Sequence, residues 1–96
     1  MEHAPGRDGS WVLKPIRLTA HAQSYFSRRG FHSDEVEQAI REGHWIPAEL
    51  GRLEAAWDFP FRSLWNGTYY TTKRVRPIFV EEEAEIVVIT VYIYFF

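Results

Sequence analysis

The stretch that decides the fold is Ile86-Val87-Val88-Ile89-Thr90-Val91-Tyr92-Ile93-Tyr94-Phe95-Phe96. Every residue in it is β-branched or aromatic, the two classes that fit a pleated surface best. It holds no Gly, Pro or charge, so it reads as a strand buried on both faces. Upstream, Glu81-Glu82-Glu83-Ala84-Glu85 turns the chain. Arg74 to Glu81 is a further extended run, with Pro77 marking an edge or a bulge. Asn66-Gly67 is a two-residue hairpin signal, with Phe61 to Trp65 on one side and Thr68 to Lys73 on the other. Arg52 to Phe59 reads as another strand. His44 to Leu50 is ambiguous, because Pro47 interrupts any long element.

Before Gly43 the period changes from two to that of a helix. Thr19 is a good cap for a helix over about Ala20 to Arg29, closed by Gly30. Leu18, Ala22, Tyr25, Phe26 and Arg29 fall on one side of it. Ser33 caps a second helix, about Asp34 to Glu42. Its first-turn acids suit the helix dipole, and Val36, Ala39 and Ile40 form its apolar stripe. The pattern is α+β: two N-terminal helices packed on a three- to five-stranded antiparallel sheet. Residues 1–14 read as a flexible N-terminal arm and residues 15–96 as one domain.

The 96 residues include no cysteine, which excludes a disulfide scaffold, a thiolate zinc site and a Cys nucleophile. No His and carboxylate spacing suggests a metal site, and no motif implies a cofactor. No apolar run is long enough to span a bilayer and none resembles a signal peptide, so the expectation is a cytoplasmic chain with no membrane partner. The net charge of −2 hides an asymmetry, because four of the 13 acids sit in the block from Glu81 to Glu85. The nine acids elsewhere face 11 basic residues, nine of them Arg, whose planar fork suits phosphate and carboxylate.

Leu18-Thr19-x-His21-Ala22, Arg28-Arg29-Gly30-Phe31, Ser33-x-Glu35-Val36 and Ala39-Ile40 resemble the opening of the domain-of-unknown-function family numbered 4258. Gly67-x-Tyr69, Lys73-x-Val75 and Val88-Ile89-Thr90-Val91-Tyr92 resemble its strand motifs, so the likeness spans about residues 16–96. The resemblance implies the fold of RelE-like and ParE-like toxins. Among such proteins many cleave RNA without a metal, and others poison gyrase or have no known activity. One position departs from the pattern: the Arg found four residues after the His is Tyr25 here.

The resemblance thus implies the toxin of a toxin–antitoxin system with metal-independent endoribonuclease activity. Its partners would be an antitoxin protein and RNA. Such cleavage needs a base for the 2′-OH, cations for the phosphorane and an acid for the 5′-oxygen. His21, Tyr25 and Arg28 share a helix face at i, i+4 and i+7 and, with Lys73, form the candidate catalytic set. Arg29, Arg74, Arg76, Tyr69 and Tyr70 are the candidate RNA-binding residues, with Trp65 a further stacking candidate. Arg74 and Arg76 point to one face of their strand and Lys73 to the other. Each has a structural alternative. His21 can serve the hairpin of helices, Arg28 and Arg29 the helix dipole, and Lys73, Arg74 and Arg76 a charged edge that resists aggregation. The aromatic residues can build core or interface. The competing function is a non-catalytic protein-interaction module or a homodimer on the same fold.

Overall fold

The computed structural model describes residues 14–96; most of the expected arm, residues 1–13, lies outside the described residues. The Asn66-Gly67 turn organises the sheet. Both residues take positive φ, 52° and 84°, as a two-residue hairpin turn requires. The turn joins β4 (Trp57–Trp65) to β5 (Thr68–Glu81), and Trp65 pairs with Thr68. The two runs expected on either side of Lys73 are therefore one strand. A second antiparallel ladder joins β5 to β6 (Ile86–Phe95).

The expected α+β class holds, but the expected three to five antiparallel strands do not. Among the described residues the sheet is mixed and has six strands. Two short strands were not read from sequence. One is Ile46–Pro47, in the ambiguous run His44 to Leu50. The other is β1 (Ile16–Leu18), which precedes the helices and pairs in parallel with Ile86 to Val88. Three residues are too few to show a period. On the far side of β5 lie β3 (Leu53–Glu54) and then β2 (Ile46–Pro47). A tight turn at Glu49–Gly51 joins them, with Leu50 at φ 60°. Leu53–Glu54 and Trp57 onward, expected as one strand, are two separate elements that both pair with β5.

The described residues form three α-helices rather than two. The expected first helix is broken into α1 (Ala20–Gln23) and α2 (Phe26–Arg29). Thr19 caps α1 as expected, its Oγ1 accepting from the Ala22 N–H at 3.1 Å. The break has a local cause: the Ser24 hydroxyl donates to the His21 carbonyl at 2.6 Å, competing with the helical ladder. α3 (Ser33–Glu42) starts one residue earlier than expected, with His32 rather than Ser33 at the cap position. The Glu35 carboxylate accepts the His32 N–H at 2.9 Å.

Pro77 was expected at an edge or bulge, yet β5 is the central strand and Pro77 is buried in it. Its missing N–H faces the gap between β3 and β4, where no ladder bond is lost, and its carbonyl accepts from Ala55 N–H. The register slips immediately afterwards, between Ile78 and Phe79, leaving Ile89 as the extra residue on β6.

The helices cover one face of the sheet only. Ala22, Phe31, Val36, Ala39 and Ile40 pack against Val75, Phe79, Ile86, Val88 and Val91. The expected stripe Val36, Ala39 and Ile40 is fully buried. Among the described residues nothing covers the other face, which corrects the reading of β6 as buried on both sides. Its first half is buried, but Tyr92, Tyr94 and Phe96 are 40%, 44% and 52% exposed. No helix among the described residues is long and apolar enough to cross a membrane.

Lys73 crosses between strand and helices. It is 6% exposed, and its ammonium lies 2.8 Å from Glu35 Oε2, 3.0 Å from Oε1 and 3.0 Å from the Gly30 carbonyl. Removing one partner of such a pair strands the other charge. Lys73→Ala should therefore lower unfolding free energy by about 2–4 kcal/mol in chemical denaturation. Lys73→Met combined with Glu35→Gln, which keeps the acceptor for His32, should cost less than the single variant.

Candidate functional site

The candidate residues divide between the two faces of the sheet. Lys73 belongs to the helix-covered face, and its three ammonium donors match the three acceptors just described. It has no donor left for a phosphate, and burial shields it from one. Tyr70 and Trp65 sit on the same face, packed on Phe95 at ring distances of 5.6 and 5.0 Å. Trp65 also passes close over Gly30, which has φ 73° and would place a Cβ 2.7 Å from the indole. These two aromatics are built into the packing and are only partly exposed. Tyr69 alone of the expected platform is exposed, at 58%.

His21, Tyr25, Arg28 and Arg29 do come together. The break between α1 and α2 folds the chain so that the His21 ring meets Tyr25 edge-on at 5.0 Å. The guanidinium carbons of Arg28 and Arg29 lie 5.0 and 3.8 Å from the centre of the same ring. Arg29 also reaches the sheet: Nη1 donates to the Val91 carbonyl at 2.6 Å, and its carbon is 5.4 Å from the Tyr92 ring. Among the described residues neither guanidinium makes an ion pair with a carboxylate, and His21 and Arg28 are exposed. The corner thus presents two uncompensated cations beside an imidazole and a phenol. Tyr25, which replaces an Arg of the resembled pattern, serves as the platform that gathers the others.

From this corner an alternation of arginine and aromatic rings runs across the bare face. Arg76 lies 5.1 Å from the Tyr92 ring and 5.6 Å from Tyr94, and its Nη2 donates to the Tyr94 hydroxyl at 3.0 Å. Arg74 lies 5.1 Å from the Phe96 ring. Arg74 and Arg76 share this face, as their i and i+2 spacing required, but each is already paired. Arg74 makes a two-pronged contact with Asp58 at 2.7 and 3.0 Å. Arg76 Nη1 lies 3.2 Å from Glu54, while its buried Nε has no partner. Neither cation is on an edge strand, so the reading of Lys73, Arg74 and Arg76 as an anti-aggregation edge fails. Two open hollows of about 480 and 560 Å³ flank Arg76. The first is lined by Asp58, Arg74 and Tyr94, the second by Arg52, Glu54, Thr90 and Tyr92.

Sequence reasoning missed Glu54, Asp58, Tyr92 and Tyr94 as parts of this surface. The two tyrosines were legible from their i and i+2 spacing with Phe96. The carboxylates were not, because their pairing depends on the register between β5 and its neighbours. Among the described residues no group of three His, Asp or Glu could hold a metal ion. Comparison with protein-family models, curated proteins and solved structures finds no match to this chain.

The Arg74 hydrogen bond holds the Asp58 carboxyl below its ordinary value, with the charge of the guanidinium adding to it. A depressed carboxylate contributes stability above its unfolded pKa and loses it as pH falls through the folded value. The Asp58 carboxyl carbon, followed by NMR, should titrate below the ordinary value of about 3.9. Arg74→Ala should move that midpoint up towards the ordinary value.

Proposed function

We propose that the protein is a metal-independent endoribonuclease of the RelE-like group, working as the toxin of a toxin–antitoxin pair. The observation that carries the reading is the corner where His21, Tyr25, Arg28 and Arg29 meet, with neither guanidinium paired to a carboxylate among the described residues. The resemblance of residues 16–96 supports it, and so do helices packed on one face of the β4–β5–β6 antiparallel sheet. RNA cleavage without a metal needs positive charge on the phosphorane and a proton acceptor and donor on either side of it. Arg28 and Arg29 supply the charge. His21 takes the 2′-OH proton, and Tyr25 donates to the departing 5′-oxygen. Lys73 stays outside this chemistry, since it is buried and fully bonded.

The bare face next to the corner suits single-stranded RNA. Phosphates meet the uncompensated cations, and bases stack on Tyr92 and Tyr94, where paired arginines leave little net charge. The exposed row Tyr92, Tyr94 and Phe96 also favours a second reading, a protein-interaction module, because Tyr and Arg anchor interfaces.

Single-stranded RNA incubated with the purified chain in EDTA should be cut. His21→Ala should reduce the rate by about 100-fold or more, the ordinary contribution of an acid–base group. Arg28→Ala should reduce it while the melting temperature is unchanged. RNA that stays intact beside a folded protein contradicts the nuclease reading.

A further inference from the structure

The two long outer strands treat their free edges differently. The outer edge of β4 is blunted by Pro60, by a register slip between Pro60 and Ser63, and by Arg62 at φ 47°. These devices prevent a strand from adding there. β6 has one such irregularity, the slip at Ile89, and none of these devices beyond it: no residue from Ile86 to Phe96 is charged or Pro. On its outer side β1 covers only Ile86 to Val88, after which Thr19 Oγ1 donates to the Ile89 carbonyl and Arg29 caps that of Val91.

Beyond Val91 the edge is open. Phe96 and Thr72 exchange both backbone hydrogen bonds, so the alternation of an antiparallel ladder turns Tyr92 and Tyr94 towards β5 and Ile93 and Phe95 outward. Among the described residues nothing pairs with the N–H and C=O of Ile93 and Phe95.

We propose that this edge is completed by a second copy of the chain, antiparallel, about a two-fold axis at Tyr94. The four free groups are self-complementary in that register. Ile93 exchanges both bonds with Phe95 of the second copy, and the reverse pair repeats it. Tyr94 then faces Tyr94 of the second copy, and Tyr92 faces Phe96, so each cross-strand pair on the bare face is aromatic. The Arg29 cap selects this register. An axis at Ile93 would set Phe95 against Val91, whose carbonyl Arg29 already occupies at 2.6 Å. The two sheets become one, and the arginine–aromatic rows of both copies meet at its centre with their faces open. The proposal is independent of the nuclease reading, because it rests on backbone pairing alone.

The absence of cysteine makes the register directly testable. Residues opposite one another in a non-hydrogen-bonded pair have Cα atoms about 4.5 Å apart, within reach of a disulfide. Light scattering should give about twice 11.3 kDa for the unaltered chain. Under mild oxidation Tyr94→Cys should cross-link to completion. Tyr92→Cys and Phe96→Cys should each remain single alone, because like residues lie about 13 Å apart, yet cross-link when mixed. The mixed pair leaves the Tyr94–Arg76 bond intact and guards against a folding defect in Tyr94→Cys. A monomer in solution, or a dimer whose cysteines at 94 cross-link no faster than those at 92 alone, overturns the proposal.

Discussion

Lys73 holds the molecule together at the point where its parts meet. It sits in the middle of the central strand and points into the helix-covered face. Its acceptors belong to two other elements: Glu35 in the first turn of α3, and the Gly30 carbonyl just beyond α2. Glu35 in turn accepts the His32 N–H that opens α3. One buried ammonium therefore fixes where α2 ends, where α3 begins and which part of β5 lies beneath them. Desolvation makes such a pair a poor source of net stability compared with apolar side chains. Its contribution is positional. An apolar residue could pack at several places along the helix layer, whereas a cation with matched acceptors has one.

Fixing the helix layer on one face has consequences for the other. With Lys73 committed inward, the alternation of the strand turns Arg74 and Arg76 outward onto the face that no other described element covers. There they meet Asp58 and Glu54 from neighbouring strands and the rings of Tyr92, Tyr94 and Phe96 from β6. The position of α2 also places Arg29 at the sheet edge, where it links Tyr25 to Tyr92. The proposed nuclease corner and the aromatic row are thus one surface, positioned by a contact on the opposite face.

Local chemistry was legible in the sequence, and long-range pairing was not. Asn66-Gly67 specified its hairpin because only certain residues accept positive φ at both turn positions. The Val36, Ala39 and Ile40 stripe specified the buried face of α3. The separation of Lys73 from Arg74 and Arg76 followed from the period of a strand. By contrast, Ile16 to Leu18 carried no readable period, and its parallel pairing with β6 is a contact between residues about 70 positions apart. The break at Ser24 depended on one hydroxyl choosing a backbone carbonyl. Pro77 suggested an edge because a proline costs a ladder bond; the gap between β3 and β4 that spares it appears only in the folded chain. At the site, the gathering of His21, Tyr25 and Arg28 was expected from their spacing on one continuous helix, whereas the break between α1 and α2 is what brings them together. The loss of Lys73 to an ion pair with Glu35 was not.

The central claim is that the α1–α2 corner receives RNA. It is tested most directly by mapping amide shifts in the ¹⁵N-labelled protein as a single-stranded RNA with 2′-O-methyl groups, which cannot be cleaved, is added. The account predicts perturbations centred on His21, Tyr25, Arg28 and Arg29 and continuing to Tyr92. Perturbations confined to the Asn66-Gly67 hairpin or the Glu81 to Glu85 turn, or none at saturating RNA, would contradict it.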